Sequence, residues 1–365
     1  MPRRPSGPPA LIAAAPGRIC LFGDHADYMG LGVIAAAIDR SISVEAWPAT
    51  GPLWQVDLPD VGRIETFDPQ TPLPYTRPRD YLRAVARVLG RAGYRWPQAF
   101  RCRIRGDVPM SAGVSSSSAL VIAWTRLMVQ AGEQALLNGR PSALDIARWG
   151  YEAEVLEFGE PGGMMDQFTS SLGGLVYIDC APPMRPERLA DRLDGFVLGD
   201  SLAPKDTMGV LTRARGAAEA GVQALRSLRP DFELRSADPD DLQDALAQLP
   251  PAEGAAVLAQ LQNWRITREA RAGLADGTLA PERLGALLNA HHRWLRDGLG
   301  ISTPKLERLI DAALAAGALG AKVTGSGGGG CMIAYAPDRE AAVAAAISAA
   351  GGRGQAIRVQ PPSSD

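Results

Sequence analysis

The chain has 365 residues, which is long enough for two domains with cores of their own. Its 46% hydrophobic and 21% charged residues are ordinary for a globular protein, and a formal net charge of -2 gives no reason to expect nucleic acid or an anionic membrane surface as a partner. Four scattered cysteines without a CxxC pair and only three histidines argue against a disulfide framework, a zinc site and a multi-histidine metal centre.

The N-terminal part is interpreted as a disordered leader over residues 1–9 followed by short strands. The apolar run Leu11–Ala15 is too short for a signal-peptide core, and Pro16 interrupts it. No window reaches the roughly 18 uninterrupted apolar residues of a membrane span, so we expect a cytoplasmic protein. The strands predicted here are Leu11–Ala15, Arg18–Phe22, Val33–Ile38 and Ser41–Trp47.

A polar cluster follows the second of these strands and contains Asp24, His25, Asp27 and Tyr28. Two carboxylates and a histidine so close together have two explanations. They form either a solvated loop whose aspartates bond to their own backbone, or a platform of hydrogen-bond acceptors for a polyhydroxylated ligand. The residues alone leave both open.

Residues 108–120 run from a proline through small residues and a glycine into four consecutive serines, and then into a strongly apolar segment. This pattern predicts a small-residue loop that leads into a buried helix. The first N–H groups of a helix have no partner within it and lie at the positive end of its dipole, so they can bind an anion. Serine hydroxyls there can complete the shell of a Mg²⁺ ion bridging two phosphates. A nucleotide-phosphate site is the first hypothesis, and a serine-rich linker is the alternative.

The segment after the serine loop supplies two candidate acids. Ser142 and Asp145 resemble a capping box that opens a helix, which Gly159 would close. Glu154 lies at the edge of the apolar stripe of this helix, so its carboxylate faces either a cleft or the solvent. Asp166, between a glycine pair and a phenylalanine, is a candidate half-buried base. Other elements predicted in this half are a helix over Tyr81–Leu89 and strands over Phe100–Ile104 and Gly173–Ile178.

A Pro- and Arg-containing connector at residues 180–192 predicts a boundary between domains spanning 10–185 and 193–358. In the second half His291 and His292 are interpreted as packing residues of a helix, whereas Lys205 and Thr207 are candidates to reach the substrate or phosphates. The elements predicted here are a strand over Gly195–Leu198 and helices around Asp240–Gln248, Ala255–Arg271, Pro281–Arg296, Lys305–Ala316 and Arg339–Ala350.

The glycine-rich segment Gly325–Gly330 formally satisfies GxGxxG. It runs into the strand-like Cys331–Tyr335 instead of a helix, which excludes a dinucleotide-binding fold. The chain also lacks GxxxxGK[ST] and GxSxG, which removes the P-loop class and gives no support to a serine hydrolase. Close packing against a ligand or a neighbouring loop is the remaining use for these glycines.

Three segments, residues 16–28, 109–118 and 322–330, resemble in order and spacing the three sequence motifs of the GHMP kinases, a family that includes galactokinase, homoserine kinase and mevalonate kinase. The resemblance covers nearly the whole chain. It implies an α+β fold of two domains, the first like the second domain of ribosomal protein S5 and the second ferredoxin-like. It also implies that ATP, Mg²⁺ and a small-molecule substrate meet between them, in a monomer or homodimer.

Site residues follow from the resemblance position by position. Asp166 is expected to be the base that takes the proton of the substrate hydroxyl, and Arg18 the cation that steadies this hydroxyl and the γ-phosphate. Ser117 and Glu154 are the expected Mg²⁺ ligands, and Ser116 is an additional candidate. The expected substrate-binding residues are Asp24, His25, Asp27 and Tyr28. The expected ATP-binding residues are Pro109, Ser111, Ala112, Gly113, Val114, Ser115, Ser116, Ser117, Ser118, Gly325 and Gly327.

The segment at residues 23–28 is similar to the sugar-binding motif of galactokinases, whereas parts of the C-terminal half are similar to mevalonate kinase. Asp24 stands where galactokinases have glutamate, and Met29 where they usually have asparagine, so the resemblance indicates a sugar more firmly than galactose itself. We therefore expect a kinase that phosphorylates the anomeric hydroxyl of a free sugar or sugar derivative. The alternatives are a mevalonate kinase and a catalytically inactive sensor of the same fold.

Overall fold

The computed structural model describes residues 7–71, 73–109, 113–134, 140–190, 192–204 and 207–361. Ser111, Ala112 and Lys205 lie outside these ranges, and the side chain of Thr207 is also not described. Helices and mostly antiparallel sheets are mixed along the chain, as expected for an α+β fold. No helix in the described ranges has the length and apolar character needed to cross a membrane.

The strands are β1 Leu11–Phe22, β2 Val33–Ala49, β3 Trp54–Leu58, β4 Arg63–Phe67, β5 Tyr94–Arg95, β6 Ala99–Gly106, β7 Glu133–Gln134, β8 Leu175–Asp179, β9 Arg185–Ala190, β10 Phe196–Asp200, β11 Gly320–Val323, β12 Cys331–Tyr335 and β13 Arg353–Ile357. The helices are α1 Tyr81–Arg91, α2 Ser116–Ala131, α3 Ala143–Glu154, α4 Met165–Leu172, α5 Thr207–Leu228, α6 Gln243–Leu246, α7 Pro251–Ala275, α8 Pro281–Asp297, α9 Pro304–Ala315 and α10 Glu340–Ala349.

The first sheet has the strand order β4-β3-β6-β2-β8-β9, with β1 paired to β2. β1 and β2 form a long antiparallel pair whose register shifts between Pro16 and Arg18. The apolar segment after the serines forms α2, as predicted, and packs over this sheet. Its Trp124 is fully buried and meets Trp54 edge to face, with the ring centroids 5.8 Å apart.

The second sheet is antiparallel throughout, in the order β11-β12-β10-β13. Helices α9 and α10 pack on it through Leu306, Leu309, Val343 and Ile347, all of which are buried. The glycine-rich segment is the connection between β11 and β12, as the sequence predicts. The chain passes from the first sheet to the second between β9 and β10, but the proposed domain limits themselves stay a prediction.

Several local expectations need correction. The two strands predicted over Leu11–Ala15 and Arg18–Phe22 form the single strand β1, and those predicted over Val33–Ile38 and Ser41–Trp47 form the single strand β2. The pairing continues across an irregularity in which Gly17 of β1 lies opposite residues 38–40 of β2. Gly159 ends a short 3-10 turn over Leu156–Phe158, since α3 already stops at Glu154. Helix α4 around Asp166 and the long α5 were not predicted.

Candidate active site

A cavity of about 800 Å³ lies where the first sheet and its helices meet the glycine-rich loop and α5. Its wall contains most of the predicted site residues, although they are far apart in the sequence. Those on the wall are Arg18, Asp24, His25, Asp27, Tyr28, Gly113, Ser115, Ser116, Ser117, Ser118, Glu154, Asp166 and Gly325. The fold therefore gathers all three sequence motifs around one space.

The serine loop presents the start of α2 to this cavity. Ser115 precedes the first helical residue in a left-handed conformation (φ 58°, ψ 44°), and its side chain does not cap the helix. Its hydroxyl instead donates a hydrogen bond to Asp166 Oδ2 at 2.6 Å. Ser116 and Ser117 in the first turn are partly or fully exposed on the cavity wall. Among the described residues no side chain forms a capping hydrogen bond at the N-terminus of α2, so its first N–H groups can bind an anion.

Arg18 and Asp166 form an ion pair at the centre of the wall. Arg18 Nε and Nη2 donate to Asp166 Oδ1 at 2.8 and 2.6 Å. Arg18 is buried, but the side chain of Asp166 is 30% exposed, so the carboxylate faces the cavity. Arg18 Nη1 also donates to the carbonyl oxygen of Gly113 at 2.6 Å, which ties the serine loop to β1.

Glu154 is the second acid and lies at the last residue of α3. It accepts a hydrogen bond from Gln167 Nε2 at 2.7 Å and is also bonded by the hydroxyls of Ser117 and Ser118. Burial raises the pKa of Glu154 to about 7. A carboxylate beside serine hydroxyls is a set of hard oxygen donors, which suits Mg²⁺. The described residues contain no group of three or more His, Cys, Asp or Glu side chains that would hold a metal by themselves.

The loop after β1 carries the expected substrate residues. His25 has a positive φ of 63°, and its ring connects two neighbours. Nε2 donates to the carbonyl oxygen of Ser326 at 3.1 Å, so in the neutral ring Nδ1 accepts from the hydroxyl of Tyr28 at 2.8 Å. Arg215 of α5 lies over the ring of Tyr28, 5.4 Å from its centroid. These contacts fix the loop between the two halves of the molecule.

Asp27 is half-buried on the cavity wall, and its position depends on a glycine. A methyl group on Gly163 would lie 1.9 Å from Asp27 Oδ2, so only glycine allows the backbone before α4 to approach this carboxylate. Burial, and then the nearby charge of Asp166, raise the pKa of Asp27 to about 6. Asp27 and Asp166 are thus neighbouring acids in the same space.

Asp24 differs from the other acids, because its side chain has no exposed surface. Its Oδ2 accepts from Lys322 Nζ at 2.6 Å and its Oδ1 from the N–H of Gly325 at 2.6 Å. The carboxylate therefore faces the glycine-rich loop. Asp24 borders the cavity, but both of its carboxylate oxygens already have donors, so its role in substrate binding stays a prediction.

The glycines of the loop between β11 and β12 face neighbouring backbone. A methyl group on Gly325 would lie 2.6 Å from the carbonyl oxygen of Gly113, and one on Gly327 would lie 2.3 Å from that of Ile301. Gly328 N–H donates to the same Ile301 oxygen at 2.7 Å. Of the two uses left open by the sequence, packing against neighbouring loops is the one seen at these positions.

Some predicted residues lie off the cavity wall, and other residues were missed. Among the expected ATP-binding residues that are described, Pro109, Val114 and Gly327 are not on the wall. His291 is a packing residue as predicted, yet its Nε2 also accepts from Gly23 N–H at 3.1 Å. Lys322 was missed as a partner of Asp24. A signal was present, since it is one of only three lysines in the chain and interrupts an otherwise apolar strand.

Comparison with known proteins gives consistent matches. The family description "GHMP kinases N terminal domain" matches residues 80–174, "GHMP kinases C terminal" matches 275–353, and "Galactokinase galactose-binding signature" matches 4–48. The galactokinase of Haemophilus influenzae is 31% identical over 90% of this chain and 86% of its own length. The mevalonate kinase of Pyrococcus furiosus is 28% identical over 94% of each chain.

Solved structures show the same fold over the full chain. The structure of Lactococcus lactis galactokinase complexed with galactose has a TM-score of 0.81 at 22% identity and covers 97% of this chain and 95% of its own. The Methanococcus jannaschii mevalonate kinase has a TM-score of 0.70 at 20% identity and covers 98% and 100%. The two-domain arrangement expected from the three motifs is thereby confirmed as the fold.

Proposed function

The chain belongs to the GHMP kinases, ATP-dependent phosphotransferases that act on alcohol groups, and we propose that its acceptor is a free sugar or sugar derivative, phosphorylated at the anomeric hydroxyl. The observation that carries this proposal is the position of the half-buried Asp27 beside Asp166. Asp27 lies in the segment that matches the galactose-binding signature. A carboxylate there can accept hydrogen bonds from sugar hydroxyls next to the acid that would receive a proton.

Asp166 is the proposed base. Its exposed carboxylate takes the proton of the acceptor hydroxyl while the oxygen attacks the γ-phosphorus, and ADP leaves with the electrons of the broken bond to phosphorus. Arg18, paired with Asp166, contributes positive charge where the transferred group becomes more negative. The N–H groups at the start of α2 bind phosphate oxygens. Most of the rate enhancement then comes from positioning and charge neutralisation.

Ser117 and Glu154 are the proposed ligands of Mg²⁺, which when bound neutralises phosphate charge. Because the pKa of Glu154 is raised to about 7, binding of the metal requires loss of a proton from part of the molecules at neutral pH. Gln167 Nε2 holds the Glu154 carboxylate toward the serine hydroxyls. These residues fit the metal by donor type, and the assignment is a proposal.

A mevalonate kinase is the second candidate, favoured by relatives of that name at 28% identity over most of the chain. Mevalonate carries a carboxylate, which the neighbouring acids Asp27 and Asp166 would repel. An inactive sensor is a weaker candidate, because the Arg18–Asp166 pair and Glu154 are all in place. Location in the cytoplasm and a monomeric or homodimeric state remain predictions.

The test is Mg²⁺-dependent release of ADP from ATP over a panel of free monosaccharides, uronic acids and mevalonate. We expect turnover with a sugar and a product that mild acid hydrolyses, as it does anomeric phosphates. Turnover with mevalonate alone would replace the proposal with the second candidate. No turnover with any compound, while ATP still binds, would favour the sensor.

A further inference from the structure

The loop after β1 contains a buried ion pair that the proposed mechanism does not use. Asp24 and Lys322 both have side chains without exposed surface, and Lys322 Nζ donates to Asp24 Oδ2 at 2.6 Å. Lys322 also donates to the carbonyl oxygen of Cys20 at 3.0 Å. The Gly325 N–H donates a hydrogen bond to the other carboxylate oxygen of Asp24. Two residues that are 298 positions apart are thus joined, one after the first strand and one in the second sheet.

In the part of the chain that the structure describes, Lys322 is the charged side chain that forms an ion pair with Asp24. His291 Nδ1 lies 3.9 Å from Asp24 Oδ2, but burial lowers the pKa of His291 to about 3 and keeps the ring neutral. Its Nε2 accepts a hydrogen bond from Gly23 N–H. Arg18 points to Asp166 and Gly113. Asp24 and Lys322 therefore depend on each other, because either charge alone would be buried without a partner.

The pair is connected to the proposed catalytic residues by direct contacts. Asp24 accepts a hydrogen bond from the N–H of Gly325. Gly325 lies close to the serine loop, because a methyl group on it would be 2.6 Å from the carbonyl oxygen of Gly113. The same carbonyl accepts from Arg18 Nη1, and Arg18 pairs with Asp166. Gly325 has a φ of +77°, so the loop reaches this position in a conformation that favours glycine.

We propose that Asp24 and Lys322 are positioning residues that hold the glycine-rich loop against the serine loop. The proposal rests on the kinase function proposed above. It also gives a reason for the aspartate at position 24. A side chain one methylene shorter than glutamate keeps its two carboxylate oxygens bonded to Lys322 and Gly325 at the border of the cavity.

The experiment compares Asp24→Asn, Lys322→Met and the double variant. Calorimetry with the non-hydrolysable analogue AMP-PNP and Mg²⁺ measures nucleotide affinity, and the ADP-release assay measures KM for the best sugar of the panel. Each single variant should weaken AMP-PNP binding about tenfold or more, because it leaves a buried charge that displaces the loop. The sugar KM should change less than about threefold. The double variant keeps an acceptor for Gly325 N–H without buried charge, so it should regain most of the nucleotide affinity.

Arg83→Met is the matched control. This substitution breaks another buried ion pair, in which Arg83 lies 2.6 Å from Glu65. The Arg83 side chain is not on the cavity wall. The variant should lower stability without changing AMP-PNP affinity. A higher sugar KM at unchanged AMP-PNP affinity in Asp24→Asn or in the double variant would overturn the proposal. If the single variants do not fold, the double variant still tests the proposal, because its sugar KM and its AMP-PNP affinity should both stay close to those of the wild type. AMP-PNP affinity can be measured even if no sugar is turned over. The positioning role of Asp24 and Lys322 can therefore be tested separately from the proposed sugar kinase activity.

Discussion

At the scale of single residues, the acids of the site differ in their hydrogen-bond partners and in their exposure to the cavity. Asp166 is held by two Arg18 nitrogens and the Ser115 hydroxyl and still faces the cavity. Asp27 lies beside it with fewer partners and a raised pKa. Asp24 has no exposed surface. The three aspartates are therefore proposed to have three different functions: Asp166 as proton acceptor, Asp27 as sugar ligand and Asp24 as structural partner.

Replacing Asp166 by asparagine should lower kcat by about 100-fold or more, because a positioned base contributes on this order. Sugar affinity should change little, since other residues hold the sugar. The measurement is steady-state ADP release together with calorimetric sugar binding. Glu160→Gln is a control, because Glu160 is an acid on the same cavity wall that pairs with Arg79 at 2.5 Å. Near-normal turnover in Asp166→Asn would remove its role as base.

Sugar binding should depend on pH through Asp27. Its pKa is raised from 3.8 to about 6, so the carboxylate that accepts sugar hydroxyls is charged above pH 6 and is protonated as the pH falls below it. Affinity should therefore be constant above about pH 7 and decrease on acidification. Calorimetry without nucleotide isolates this effect from the titration of Glu154. In Asp27→Asn the affinity should be about tenfold lower or more, since the negative charge and one of the two acceptor oxygens are lost, which costs roughly 1–3 kcal/mol. The affinity of this variant should also no longer change around pH 6. A wild-type affinity that is flat from pH 5 to 8 would contradict the assignment.

At the scale of elements, the short helices and loops around the cavity place these side chains. The register shift in β1 brings Arg18 N–H to the Val114 carbonyl oxygen at 3.1 Å, which sets the strand against the serine loop. The capping box of Ser142 and Asp145 starts α3, and Glu154 is its last residue. The glycines at 162 and 163 then lead into α4, which carries Asp166. Glu154 thus ends α3, Asp166 lies in the first turn of α4, and Arg18 follows the register shift of β1.

Two adjacent glycines in this connection should respond differently to substitution. Gly163→Ala should displace Asp27, because the added methyl group would lie 1.9 Å from its Oδ2, and so raise the sugar KM about tenfold. Gly162→Ala is the matched control, since its methyl group would meet only Val155 Cγ2 at 3.8 Å, an ordinary contact. Steady-state kinetics with varied sugar measures both. Equal effects in the two variants would show that the connection, and not Asp27, sets the sugar KM.

At the scale of the whole molecule, the cavity depends on both sheets. β1 and α2 supply one side, and the loop between β11 and β12 supplies another. Contacts such as those of Asp24 with Lys322 and of His25 with Ser326 join residues about 300 positions apart. A ligand in this cavity would contact both halves of the molecule. The binding site therefore exists only in the folded chain.

Substrates should therefore stabilise the protein against unfolding. Nucleotide with Mg²⁺, or sugar, at about 100 times its dissociation constant should add about 2.7 kcal/mol to the free energy of unfolding. Denaturant titration measures this change. In Asp27→Asn the same sugar concentration should add much less, whereas nucleotide should act as in the wild type. Loss of both effects would indicate that the substitution disturbs the cavity as a whole.

The sequence by itself determined the features that depend on local patterns. The serines followed by an apolar segment predicted α2, the spacing of Ser142 and Asp145 predicted the start of α3, and the ordered motifs predicted the family. It did not predict α4, which has only eight residues, or α5. A helix as short as α4 carries little periodic signal, so its formation depends on packing.

Only the tertiary structure decided which acids face the cavity. Asp24 and Asp27 are three positions apart and look equivalent in the sequence. One is buried against Lys322, a residue 298 positions away, and the other lies beside Asp166 where Gly163 leaves room for it. Burial and ion pairing depend on neighbours that only folding supplies, so the separation of these two acids could not be read from their own segment.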